Sequence, residues 1–357
     1  MTASVVSSFN EWDPLEEIIV GTLEGSVELP WDVALQAVVP ERDIESTRQY
    51  LLAQGGKPKP ERFRVLAQKE LDRFIAILEG EGVVVKRPDP MPHDKKHATP
   101  QWESIGGNAQ SDPRDVLIVI GNEILEATMA WRSRYFEFLS YRRLIKEYFK
   151  QGAKWAAAPK PQLSDELYKK SHVRGQEYVL TEFEPVFDAA DITRCGKDLF
   201  VQKSHVTNEF GIEWLRSHLG DTYNVHMVEF ADDRALHIDA TFVPLAPGKV
   251  LVNPDRPLKH VPEVFKRGRW EFLTAPRTTL PAGFQLFTNF QWLSMNMLSL
   301  DEKRVIVEES EEPLIKALRE WGFDPIPCPF RTNYRYGGSF HCATVDIRRR
   351  GTLQSYF

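Results

Sequence analysis

The sequence predicts an α/β fold, a single domain of five ββαβ modules closed into a ring. Three observations carry the prediction: a strand, strand, helix, strand order that recurs along the chain, a fifth set of the same parts split between the two ends, and a composition able to fill a large core. With 357 residues, 42% hydrophobic and 27% charged, the chain has the profile of a packed globular protein rather than a disordered or fibrous one.

The repeat is read first after Asp115. Val116 to Ile120 is an apolar strand, Gly121-Asn122 a hairpin turn and Glu123 to Ala127 the return strand. Trp131 to Phe149 reads as one helix with Tyr135, Phe138, Leu139, Leu144, Ile145 and Tyr148 on one broad face, and Lys154 to Ala158 supplies the closing strand. From Phe187 the order returns: a strand to Thr193, a turn at Gly196-Lys197-Asp198, Leu199 to Gln202, a helix from Thr207 to Leu219, and Val225 to Phe230. The next copy has Ile238 to Leu245, a turn at Ala246 to Lys249, Val250 to Asn253, a short helix from Pro262 ending at Gly268, and Trp270 to Ala275. A further copy runs through Ser294 to Leu300, Arg304 to Glu308, a helix from Pro313 to Trp321 capped by Gly322, and Asp324 to Cys328.

What is left lies at the ends. Glu16 to Val20, a helix with Leu71, Phe74, Ile75 and Leu78 on one face, and Val83 to Lys86 lack one strand, which Phe340 to Ile347 can add. Joining the ends closes the ring and removes the exposed sheet edges. One domain over residues 1–357 is therefore expected, with the long stretches Glu28 to Arg62 and Pro88 to Pro113 as loops that cover a site.

Composition narrows the function. A formal charge of -6 leaves no basic footprint for nucleic acid, and the one compact basic run, Arg348 to Arg350, reads as solvated or paired surface. Cys195, Cys328 and Cys342 are far apart, without the spacing of a disulfide framework or a zinc site. No stretch reaches the roughly 18 apolar residues of a membrane span, and Met1 to Asn10 lacks a signal-peptide profile. A cytoplasmic protein with reduced thiols is expected.

In a radial fold the first strand of each module lies nearest the axis, so polar residues there meet in space. Asp115, Asp188, His237, Asp239 and Cys342 occupy such positions. On a strand His237 and Asp239 would share a face, whereas His341 and Cys342 would point apart, which makes His341 a poor base for the thiol. Read alone, His237 and Asp239 also fit a solvent-facing pair, Cys342 a buried structural cysteine, Asp188 and Asp191 caps, and His93, His97 and His260 ordinary surface. The residue types thus admit both a thiol enzyme acting on a cationic substrate and a binding module.

Five segments carry a resemblance to a known family: Phe187-Asp188-Ala189-Ala190-Asp191, His237 to Phe242, Asn253-Pro254-Asp255-Arg256-Pro257, Trp292-Leu293-Ser294-Met295-Asn296 and His341-Cys342. In this order, and with Arg348 to Tyr356 at the end, the chain resembles the glycine amidinotransferases over nearly its whole length from Asn10-Glu11-Trp12. The resemblance implies a five-module, pentein-like α/β propeller that moves the amidino group of L-arginine to an amine through a thiouronium on cysteine. By position it implies Cys342 as nucleophile, His237 as general acid and base, Asp188 as its orienting carboxylate, Asp115 and Asp239 as the grip on the guanidinium, and Arg256 on the arginine carboxylate. It implies no metal and no organic cofactor, with L-arginine and an amine acceptor as the only partners, and a homodimer fits the family.

Two segments depart from the vertebrate glycine enzymes. Arg234-Ala235-Leu236 stands where those read Asn-Pro-Met, which makes Arg234 and Leu236 acceptor-side candidates, and Asn289-Phe290-Gln291 stands where they read Ser-Ser-Lys. The acceptor stays open between glycine, lysine and other amines. The chain starts near the mature start of the vertebrate enzymes, so no mitochondrial presequence is expected. Two alternatives remain, a guanidine hydrolase of the arginine deiminase kind and a non-catalytic arginine-binding protein.

Overall fold

Five three-stranded sheets of one topology form the described part of the protein in a computed structural model, which covers residues 4–106, 109–281, 284 and 290–357, with Phe290 described by its backbone alone. In four of them the first two strands form an antiparallel hairpin and the third returns parallel to the second: Leu117–Ile120, Glu123–Glu126 and Lys154–Ala157; Ile192–Cys195, Asp198–Gln202 and Asn224–Val228; Phe242–Ala246, Lys249–Val252 and Glu271–Thr274; Leu298–Ser299, Arg304–Glu308 and Asp324–Cys328. The parallel return is made by a helix that packs on the sheet. The fifth sheet is the closure. Thr344–Arg349 pairs antiparallel with Leu15–Val20, which pairs parallel with Val84–Lys86. A ring of five ββαβ modules follows, as the repeat implied.

The return helices form where apolar spacing and caps agree. Glu61–Gly80 buries Ala67, Leu71, Phe74 and Leu78, four residues on one face. Glu209–Leu219 begins at Asn208, whose side chain accepts from the Gly211 N–H, and Glu312–Glu320 has proline in its first turn. Removing a side chain of the Leu318 or Phe74 kind from water contributes about 1.5–3 kcal/mol.

One expected helix is present only in its second half. Trp131 to Phe149 is not continuous; Arg132–Arg134 and Glu137–Tyr141 are separate 3-10 turns, and the α-helix spans Arg142–Lys150. The apolar periodicity there was real for Leu144, Ile145 and Tyr148, but Leu139 is 46% exposed. Tertiary ion pairs outweigh helix propensity in this segment, because Arg134 must reach inward. The stretches expected as loops are also partly folded, with helices Val33–Val38 and Ile44–Gln54 in one and a Lys96–Ala98/Glu103–Ile105 hairpin in the other. His93, expected at the surface, is buried with Nε2 2.8 Å from Gln110 Oε1.

The first strands do lie together at the middle of the ring. Arg194 donates through Nη2 to Glu11 at 2.8 Å and to Asp346 at 2.6 Å, and through Nη1 to the Val119 carbonyl at 2.7 Å. Arg114 also pairs with Asp346, and Arg349 reaches the same carboxylate at 2.9 Å. Arg349 is therefore buried rather than part of a solvated basic run. Three guanidiniums hold Asp346 well below the usual carboxylate range against the burial that would raise it.

Candidate active site

Each module places a short turn ahead of its first strand, and those turns build the site. Pro113–Val116 carries Asp115, Asp188 precedes the 3-10 turn Ala189–Asp191, His237 precedes the turn Ile238–Ala240, and Phe290–Met295 leads to Asn296. Residues 339–343 carry His341 and Cys342 ahead of Thr344–Arg349. The expected strands through Phe187, Ile238, Ser294 and Phe340 therefore start later than predicted. Runs such as Phe-Asp-Ala-Ala are apolar enough to pass for strand, yet here they turn. His237 stands at φ 53° and ψ 127°, a backbone state that a residue with a Cβ adopts at a cost of about 1–3 kcal/mol and that is concentrated at functional sites.

His237 and Asp239 do not share one strand face. His237 Nε2 lies 3.2 Å from Asp188 Oδ2 and Nδ1 3.5 Å from Asp115 Oδ1, whereas Asp239 Oδ2 lies 3.3 Å from Cys342 Sγ. His341 does not point away from the thiol's surroundings either; its Nδ1 is 2.8 Å from the same Asp239 oxygen and its Nε2 3.3 Å from Glu11. The side-chain N, O and S atoms of Asp115, His237 and Cys342 still lie within 4.8 Å of one another, so the fold brings the expected nucleophile and base together, with Asp188 3.2 Å from the imidazole. Asn296 ties it together by accepting from the Cys342 N–H at 3.0 Å and the Ser339 N–H at 3.2 Å. A methyl on Gly338 would overlap Asp112 Oδ1 and Cys342 Cβ, so only glycine lets this loop press on the thiol.

The two carboxylates predicted to hold a guanidinium each keep one buried oxygen unsatisfied. Asp115 Oδ2 accepts from Arg134 Nη1 at 2.5 Å and Asp239 Oδ2 from His341, but among the described residues Asp239 Oδ1 accepts no hydrogen bond and Asp115 Oδ1 has only the His237 imidazole 3.5 Å away, too poorly placed to donate. Such orphans are costly in an interior and are expected where a ligand completes them.

Charge sets the protonation states. Burial alone would depress His237, but Asp115, Asp188 and Asp191 raise it to about 10, so the imidazole is a cation at neutral pH. Burial, then Asp239, Asp115 and Asp112, push the Cys342 thiol well above its ordinary value. Burial also lifts Asp112, beside Asp115, and Glu137, against Arg134, to about 7 each.

A cavity of about 1390 Å³ opens onto the site and is lined by Asp112, Asp115 and His237. Arg234 and Leu236 line it as well, and Arg234 Nε is also 3.2 Å from Asp233 Oδ1. Arg256 is buried outside this lining, with Nε 3.1 Å from Asp232 Oδ2 and Nη1 3.2 Å from Thr241 Oγ1. Asn289 and the Phe290 side chain fall outside the described residues. The sequence reading missed Asp112, Arg134, Glu137, Asn296 and the role of His341. Only the recurrence of polar residues ahead of first strands could have pointed to Asn296. Arg134 and Glu137 were concealed inside a helix pattern.

No protein-family model matches the chain. It is 52% identical over 358 residues to the L-arginine:L-lysine amidinotransferase of Pseudomonas savastanoi pv. phaseolicola, covering 99% of this chain and 97% of that protein. It is 47% identical over 363 residues to the mitochondrial glycine amidinotransferase of Gallus gallus, covering 99% of this chain and 85% of that protein. The solved structure of SxtG, an amidinotransferase from Microseira wollei in the saxitoxin biosynthetic pathway, superposes with a TM-score of 0.94 at 50% identity, covering 99% and 100% of the two chains. Among the described residues no helix is long and apolar enough to cross a membrane.

Proposed function

The chain belongs to the amidinotransferase family, and from that premise we propose that it takes the amidino group of L-arginine onto Cys342 and passes it to an amine acceptor. The observation that carries the residue assignment is the pair of unsatisfied buried oxygens on Asp115 and Asp239 flanking Cys342. A guanidinium between them would receive two charge-assisted bonds and present its carbon to sulfur. Arg134 keeps Asp115 in place by occupying its other oxygen.

The substrate's charge also solves the problem of the thiol. Three carboxylates disfavour a Cys342 thiolate in the free protein, and a bound guanidinium offsets them, so the nucleophile loses its proton to solvent when arginine arrives. The thiolate then forms the carbon–sulfur bond, the bond from that carbon to arginine Nε breaks, and His237 gives its proton to the departing nitrogen, which leaves as the δ-amine of ornithine. The acceptor amine attacks the thiouronium carbon, His237 recovers a proton from it, and the carbon–sulfur bond breaks to return Cys342. A His237 value of about 10 lies close to that of an alkyl amine, about 10.4, so proton transfer is near balance in both directions.

Arginine alone should release about one ornithine per site in a burst and leave an amidino mass on the Cys342 peptide. Cys342→Ala should release none, whereas Cys328→Ala should turn over; turnover by Cys342→Ala would rule out the covalent route. Formation of citrulline and ammonia without an acceptor would instead identify a hydrolase. We further take residues 1–357 as one domain, acting in the cytoplasm with its three free thiols reduced, and the assembly as a homodimer, which sedimentation would test.

A further inference from the structure

The wall of the cavity carries guanidinium groups that no described carboxylate neutralises. The carbons of Arg335 and Arg62 lie 4.3 and 4.6 Å from the centroid of the Phe63 ring, and the Phe284 ring lies 4.6 Å from Arg335. Aromatic contact covers the flat faces of a guanidinium and leaves its N–H edge to donate. Among the described residues neither side chain makes an ion pair or donates a hydrogen bond. Glu28, the acid that acts on Arg335, is engaged elsewhere, by Lys59 Nζ at 3.0 Å and by the Tyr50 hydroxyl at 3.1 Å. Burial and then Arg62 hold Arg335 below the usual guanidinium range, as expected for a cation short of counter-charge.

We propose that Arg335, with Arg62 beside it, is an anion-binding subsite that receives a carboxylate carried by the acceptor several bonds away from its reacting amine. The inference rests on the amidino-transfer reading and deepens it. Arg335 lines the same cavity as Asp115 and His237, on a wall that also carries Lys59 and Asp112. A carboxylate next to the reacting amine, as in glycine, stays beside that amine, whereas an ω-amino acid carries its carboxylate away from it along the wall. Arginine itself carries a distant carboxylate, so donor and acceptor are two sources of one chemistry.

The test compares acceptors matched in length, lysine against 1,5-diaminopentane and 5-aminopentanoate against pentylamine, in the wild-type enzyme, Arg335→Gln and Arg335→Lys. The wild type should prefer each carboxylate-bearing acceptor by about 10–100-fold in kcat/KM, the value of a charge-assisted contact. Arg335→Gln should abolish that preference through KM and change the carboxylate-free amines less than about 3-fold, and Arg335→Lys should restore part of it. Absence of the preference in the wild type, or equal losses with and without the carboxylate, would overturn the proposal. A matching loss in the rate of the ornithine burst from arginine alone would overturn it too, by giving the site to the donor. Failure of the wild type to release any ornithine would instead sink the reading on which it rests.

Discussion

Replacing Asp239 by asparagine should move two properties of the site in opposite directions. Asp239 Oδ2 lies 3.3 Å from Cys342 Sγ, where a carboxylate and a thiolate repel by about 5 kcal/mol at an effective dielectric constant of about 20. His341, which faces the same oxygen at 2.8 Å, offsets part of that repulsion, and the remainder helps to hold the thiol above its ordinary value. Without arginine, iodoacetamide should therefore alkylate Cys342 about 10–100-fold faster in Asp239→Asn than in the wild type at pH 7.5, read by peptide mass. Turnover should fall even so. The variant loses one arm of the guanidinium grip, and truncating one partner of a buried charge pair costs about 3–5 kcal/mol, a fall of about 100-fold or more in arginine kcat/KM. Alkylation no faster than in the wild type, with near-ultraviolet dichroism unchanged, would refute the claim that Asp239 suppresses the thiolate.

Arg134→Met strands two buried carboxylates, Asp115 and Glu137, and should lower urea stability at pH 7.5 by about 3–5 kcal/mol; the loss should shrink at pH 5.5, where Glu137 gains a proton. Glu137 rises from 4.5 to about 7 on folding, so its contribution, about 3 kcal/mol, is present below pH 4.5 and is lost as pH climbs through 7; Glu137→Gln should flatten that part of a stability profile. Gly338→Ala should cut the ornithine burst at least 10-fold while the free energy of unfolding falls by no more than about 1–3 kcal/mol, because the added methyl meets Cys342 and Asp112 rather than the core.

The architecture was legible because the module is a local pattern. Hairpin turns at Gly121-Asn122 and Gly196-Lys197, and apolar faces on Glu61–Gly80 and Glu312–Glu320, survive folding unchanged because nothing in the ring competes with them. Trp131 to Phe149 failed because its polar residues have tertiary duties: Arg134 is drawn to Asp115, and a regular helix cannot also satisfy that pair. The pairing of Leu15–Val20 with Thr344–Arg349 was legible only by counting parts, since its partners lie at opposite ends of the chain.

The candidate site was readable as a set of residues but not as a geometry. A period of two put His237 and Asp239 on one face; the positive φ of His237 and the 3-10 turn Ile238–Ala240 that follows break that alternation instead. His237 thus reaches the carboxylates Asp188 and Asp115, and Asp239 reaches Cys342 and His341. With both groups on one face, His237 would neutralise Asp239, and the thiol would lose the carboxylate that keeps it protonated before arginine binds. Separated, they leave Asp239 beside Cys342 and His237 between Asp188 and Asp115. Asn296, a neutral residue from the remaining module, can then brace the Cys342 backbone without adding charge to either side.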